Sequence, residues 1–183
     1  MTPVPMPSQE LHGRQAVLDA MTGHPAIQAL LAWNADAVTD AKFAFGELTL
    51  TIASGEIRAA CSAVQSAGYN FFEDMTAVDW FPSSPRFQLS YHILSHQYLD
   101  RIRLRVMIEE PDPVVDSIVP VWAGANFYER EVFDLFGIRF AGHPDLRRIL
   151  MPEAFTSFPL RKDYPLRGRG ERHNFSVITR AES

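Results

Sequence analysis

Cysteine is nearly absent: Cys61 is the only one in 183 residues. A single thiol closes no internal disulfide, and alone it holds neither an iron–sulfur cluster nor a structural zinc. Long apolar runs are also missing. No stretch approaches the roughly 20 residues that a membrane-spanning helix needs. The chain has no phosphate loop, no GxGxxG fingerprint and no Ser or Cys nucleophile motif. It has no internal repeat, and no low-complexity block beyond the proline-rich start MTPVPMPSQE. That start lacks a basic n-region and an apolar h-region and is poor in arginine. The expectation is a soluble chain of the cytoplasmic compartment, with neither secretory signal nor transit peptide. If such a chain serves an electron-transfer machine, the electrons are expected to run elsewhere.

What is present suits a globular protein. Hydrophobic residues make up 46% and charged residues 21%, enough apolar surface for a core. The net charge of −5 hides an asymmetry. Residues 1–136 hold eight basic and 17 acidic side chains, whereas residues 137–183 hold nine basic and five acidic ones. Eight of those nine are arginine, which meets carboxylates and phosphates with a planar, bidentate fork. A basic docking arm on an acidic body follows from that distribution.

Hydrophobic periodicity places the elements. A short helix is expected over residues 11–21, with Leu11, Val17, Leu18 and Met21 apolar. Gly23 ends it, and Pro25 suits the first turn of a second helix carrying Ile27, Leu30 and Leu31. The period then changes to two. Leu48, Leu50 and Ile52 alternate with polar residues, and Phe43 and Phe45 before Gly46 read as a hairpin partner. A third helix follows Ser54, with Ile57, Cys61 and Val64 inward and Gly68 as its stop, so Cys61 is expected to be a small core residue. A short strand is expected to end near Asp79-Trp80. Phe87 to Ile93 and Ile102 to Ile108 both alternate strongly and form an antiparallel pair across the polar link Ser95–Asp100.

Arg101, Arg103 and Arg105 share one face of that last strand. They either bind an anion or a partner's acids, or form a solvated face of cross-strand pairs. His92 and His96 are four apart, but they fall in a strand and its turn, so no metal site is read there. A fourth helix is expected from Val114, interrupted at Pro120 and resumed from Trp122 to Phe136, with Gly137 as a left-handed stop. Beyond it, four prolines and many arginines replace sustained periodicity. The fold class is α+β: helices packed on a mostly antiparallel sheet, followed by an extended C-terminal arm. The division is an α+β domain over 1–137 and an extended basic docking arm over 138–183.

The most informative stretch is YEREVFDLFGIRFAGHPDLRRILMPEAFTSFPLRKDYPL, Tyr128 to Leu166. Glu129, Arg130, Glu131, Asp134, Leu135, Phe136, His143, Arg147, Ile149 and Leu150 stand at fixed spacings. The block Pro159-Leu160-Arg161-Lys162-Asp163-Tyr164-Pro165 follows. From the residues alone, Glu129 shares a helical face with Val132, Phe133 and Phe136 and needs a partner if buried. Arg130 and Asp134 are placed to pair along the helix. Gly137 and Gly142 permit tight turns. Arg147, Arg148, Arg161 and Lys162, with Asp163 and Tyr164, are expected to face outward as a partner-contact surface. A catalytic cluster of Glu129, Glu131, Asp134 and His143 is disfavoured, because the two glutamates point about 200° apart on a helix.

The spacing of these residues resembles the signature of the C-subunit (30-kilodalton) family of respiratory complex I, most clearly over residues 122–166. The resemblance implies an accessory subunit in the peripheral arm of a bacterial proton-pumping NADH:quinone oxidoreductase. It implies no cofactor in this chain; FMN, iron–sulfur clusters and quinone would lie in partner subunits. It implies the quinone-binding D subunit as partner, with B and I nearby, on the cytoplasmic side of the inner membrane. The equivalent subunit of a membrane-bound hydrogenase or of a cyanobacterial photosynthetic complex I is the alternative. An RNA-binding arm is a further reading, but Phe155, Phe158, Tyr164 and Phe175 are too dispersed for a stacking platform.

Overall fold

The computed structural model describes residues 4–170. Its body is a six-stranded sheet in the order β1-β2-β3-β6-β5-β4. The strands are β1 (Leu11–His12), β2 (Val38–Ala44), β3 (Glu47–Ile52), β4 (Phe71–Asp79), β5 (Phe87–Ser95) and β6 (Asp100–Ile108). All neighbours run antiparallel except β3 and β6, which pair parallel from Leu48↔Ile102 to Ile52↔Val106. The β2–β3 turn is Phe45-Gly46, with φ of 55° and 75°. Two successive positive-φ residues make the tight turn whose twist matches the strands it joins.

One sheet face carries the core. Leu48, Leu50, Ile52, Leu89, Tyr91, Ile93, Ile102, Leu104 and Val106 are buried there, as their alternation requires. Packed on the body are α1 (Arg14–Ala20), α2 (Pro25–Asn34), α3 (Ile57–Ser66) and α4 (Ala125–Phe136). Cys61 is buried on α3 beside Ile57, Ala60 and Val64. On the opposite face the three β6 arginines are taken up by neighbours. Arg101 meets Glu47 at 3.3 Å and Glu73 at 3.6 Å, Arg103 pairs with Glu47, and Arg105 reaches Thr51 and Asp40. Of the two readings left open, cross-strand pairing is the one observed.

Two elements depart from the sequence pattern. Residues 11–21 begin as β1, and the helix starts only after Gly13, whose φ is 91°. No helix starts at Val114. Val114–Asp116 is β7, paired parallel with β8 (Arg139–Ala141) in a separate two-stranded sheet. The paired β-branched valines favour extension, prolines 113 and 120 flank them, and β8 supplies the missing backbone partner. That pairing also moves the edge of the body. Ile138 and Phe140 are buried in the same core, so the core runs past the expected boundary after Gly137.

Candidate functional site: a signature helix clamping the C-terminal segment

Helix α4 carries the signature and is amphipathic. Glu129, Val132 and Phe136 face inward, and Tyr128 donates its hydroxyl hydrogen to the Glu73 carbonyl on β4 at 3.1 Å. The helix ends at Gly137, whose φ of 74° is the left-handed conformation glycine adopts at least cost. Its N–H donates to Phe133 O at 2.9 Å. Space makes the same demand: a Cβ here would lie 2.5 Å from the Phe158 ring.

An α-helix leaves its last carbonyls without intrahelical donors. Here the following segment supplies them. Arg148 donates to Asp134 O at 3.1 Å, the Leu160 N–H to Leu135 O at 3.1 Å, and Arg161 Nε to Phe136 O at 2.5 Å. Two of the three donors are guanidinium groups, which also suit the negative end of the helix dipole.

Asp134 completes the first clamp. Its Oδ2 accepts the backbone N–H groups of Ile149, Leu150 and Met151 at 3.0, 2.7 and 2.8 Å, and its Oδ1 meets Arg148 at 2.6 Å. Burial opposes the charge. The three amides and Arg148 outweigh it and hold the carboxyl below the ordinary aspartate range. Arg130 turns its Nε and Nη2 to the carbonyls of Arg147 and Arg148 at 3.1 and 3.2 Å. The expected Arg130–Asp134 pair along the helix therefore does not form. Each finds richer partners in the segment that folds back over α4.

The second clamp was not read from the sequence. Asp79, at the end of β4, forms a bidentate pair with Arg86 at 2.9 and 2.7 Å. Its Oδ2 also accepts the Lys162 N–H at 2.8 Å. Arg86, 3% exposed, reaches Asp163 at 2.7 Å and Glu110 at 2.5 Å. Desolvation works against the Asp79 charge, but the Arg86, Lys162 and Phe81 hydrogen bonds win and bring its carboxyl down to about 2. A signal did exist. Asp79 has the inward parity of Met75 and Ala77, and a buried carboxylate needs a cation.

Between the clamps, arginines and phenylalanines alternate in one stack. Arg86 lies over Phe81 and Phe87, Arg161 over Phe87 and Phe158, and Arg148 over Phe158 and Phe155. Arg148 and Arg161 thus face inward, contrary to the expectation that all four basic residues face outward. Each satisfies helix carbonyls and covers aromatic faces at once. Arg147 and Lys162 are exposed, Asp163 is held by Arg86, and Tyr164 packs edge-on against Phe155. Glu131 is exposed and Leu135 half-buried. Leu150, Leu160 and Leu166 remain 55%, 52% and 87% exposed on the outer side of the clamped segment.

Glu129 and His143 meet under α4. The Glu129 Oε1 accepts the Ile118 N–H at 2.6 Å, and His143 Nε2 lies 4.0 Å from its Oε2. Among the described residues, no group of three or more His, Cys, Asp or Glu side chains is arranged to hold a metal ion.

The model of the respiratory-chain NADH dehydrogenase 30 Kd subunit family matches residues 50–170, from the central strand through both clamps. The chain belongs to that family. The C subunit of the NADH-quinone oxidoreductase of Geotalea uraniireducens (strain Rf4) is 41% identical over 135 residues, 73% of this chain and 82% of its own length. The C 2 subunit of the NADH-quinone oxidoreductase of Rhizobium etli (strain CIAT 652) is 49% identical over 106 residues. That match spans 58% of this chain and 56% of the relative. Among solved structures, a trypsin-resistant fragment of Nqo5 superposes with a TM-score of 0.59 at 30% identity, covering 67% of this chain and 99% of the fragment. A chain of the membrane-bound sulfane sulfur reductase, an archaeal respiratory membrane complex, shares the fold with a TM-score of 0.68 at 21% identity, covering 85% and 92%. Among the described residues, no helix of this 30-kilodalton family member is long and apolar enough to cross a membrane.

Proposed function

We propose that this chain is a non-catalytic accessory subunit in the peripheral arm of a bacterial proton-translocating NADH:quinone oxidoreductase, where it supports the quinone-reducing module. In this reading the D subunit is its main partner and B and I lie nearby. The chain then sits on the cytoplasmic side of the inner membrane, held through those partners, while FMN, the iron–sulfur clusters and the quinone belong to other subunits. The relatives, named as C subunits of NADH-quinone oxidoreductases, support the choice of enzyme. The observation that carries the scaffold role is the double clamp. It holds residues 148–163 against the body while leaving Leu150, Leu160, Leu166, Arg147 and Lys162 outward. A segment held in place before a partner arrives loses less conformational entropy on docking.

Purification of the tagged full chain from its native membrane tests this. Co-purification of D, B and I with NADH:quinone activity is the expected result. Isolation with hydrogenase subunits, or without redox partners, would overturn it. The isolated chain should carry no stoichiometric flavin, haem or iron–sulfur absorbance.

A further inference from the structure

Glu129 is a carboxyl group at 0% exposure, and among the described residues no Lys or Arg pairs with it. One oxygen accepts the Ile118 N–H, and the other, Oε2, has no hydrogen-bond partner among the described residues. The neighbours on every side offer little for a negative charge. From α3, Arg58 spends its guanidinium on the Ser117 and Ala141 carbonyls and on Asp116. Cys61, also on α3, and Tyr91 on β5 are held neutral by burial and bring no positive charge to this point. Desolvation pushes the Glu129 carboxyl up to about 7; Ser117, the Ile118 amide and Arg58 pull it back only in part.

His143 completes the arrangement. Its Nδ1 accepts the Asp145 N–H at 3.0 Å, so in the neutral ring Nε2 carries the hydrogen. That one donor has one acceptor in range and a second nearby. It is given to Asn126 O, in the first turn of α4, at 3.2 Å, while Glu129 Oε2 waits at 4.0 Å. Closing the longer gap to hydrogen-bond range moves the ring by about 1 Å. The ring is also what holds the Asp145 amide, at the start of the clamped segment.

We propose that Glu129 and His143 form a proton-operated hydrogen-bond switch joining α4 to the turn at residues 143–145. With the proton on Glu129, His143 donates to Asn126 O and Nδ1 keeps the Asp145 amide. When Glu129 releases its proton to solvent, the buried carboxylate takes the Nε2–H from the carbonyl. The ring follows, the Asn126 carbonyl is freed, and the Asp145 contact lengthens. Charge and hydrogen atoms balance: one proton leaves Glu129 for solvent, and the Nε2–H of His143 exchanges only its acceptor. The launch of the C-terminal segment thereby becomes sensitive to pH, or to any charge brought near Glu129 by a bound partner.

Nitrogen-15 NMR of the full chain from about pH 5 to about pH 9 tests the switch. The His143 Nε2–H should change its bonding partner, and the Asp145 amide should lose about tenfold in protection, the value of one hydrogen bond. Both changes should share a midpoint near 7. In Glu129→Gln both should vanish, with His143 left on the carbonyl. Persistence of the same transition in that variant, or no transition in the natural chain, would overturn the proposal. If Glu129→Gln fails to fold, difference infrared spectra of the natural chain with carbon-13-labelled glutamate decide. A protonated-carboxyl band that disappears with the same midpoint supports the switch; its absence at all pH values refutes it.

Discussion

At the scale of single residues, carboxylates pull stability in opposite directions with pH. Asp79, Asp134 and Asp163 are all held below the ordinary aspartate range. For Asp79 the unfolded value is 3.8 and the folded value about 2, so its contribution is complete above the first and is lost as pH falls through the second. Glu129 has the opposite sign. Its carboxyl rises from 4.5 to about 7, so the folded state binds more protons than the unfolded chain. Its contribution is complete below the first value and is lost as pH climbs through the second. At about 1.4 kcal/mol per pH unit the loss is roughly 3 kcal/mol. Urea unfolding across that range should show stability declining toward pH 8, and Glu129→Gln should flatten the decline. Gly137 makes a second prediction. Gly137→Ala forces a Cβ into the left-handed region and onto the Phe158 ring, 2.5 Å away. The combined cost is about 2–4 kcal/mol, readable as a lower urea midpoint.

At the scale of elements, α4 and the segment after it stabilise one another. The helix supplies three carbonyls and the Asp134 carboxylate; the segment supplies amides and guanidinium groups. Neither half is satisfied alone. Asp134→Ala leaves three amides without an acceptor and Arg148 without its counter-ion, costing about 3–5 kcal/mol locally. Limited trypsin digestion should then cut first at Arg147, Arg148 or Arg161 while the sheet core persists. Simultaneous loss of the core fragment would mean that the clamp is part of the global fold rather than a local closure. Asp79→Asn should release the Lys162 end and leave the contacts to residues 149–151 in place.

At the scale of the whole molecule, the surface beyond the clamps divides into charges already matched and groups left over. The polar sheet face matches its β6 arginines internally. The clamped segment instead leaves Leu150, Leu160, Leu166 and the Lys162 cation outward, while Arg147 pairs with Asp145 at 2.9 Å. Leu150→Ser together with Leu160→Ser removes apolar contact area without touching either clamp. The expected outcome is unchanged thermal unfolding of the isolated chain but less chain recovered with the membrane-bound enzyme. Activity per assembled enzyme should stay near normal. Full assembly of that double variant would place the docking surface elsewhere.

Much of this protein is determined along the chain itself. Period-two alternation located β3, β5 and β6, the helical stripe around Cys61 located α3, and Gly137 marked where α4 stops. These signals are local, because strand and helix periods and a left-handed glycine depend on near neighbours alone. The dense spacing from Glu129 to Leu150 was enough to point to the family. Only the tertiary structure decided partners across long separations. Arg86 meets Asp163 across 77 residues and Asp79 meets the Lys162 amide across 83. Nothing local says whether a proline-rich, arginine-rich segment stays free or returns to cap a helix. The return is settled by unsatisfied carbonyls at the end of α4 and by two buried carboxylates that need donors. The same long-range demand turned Val114–Asp116 from an expected helix start into a strand, since β8 lies opposite it. It also brought His143 within 4.0 Å of Glu129, a meeting that the two residues' spacing in the chain does not reveal.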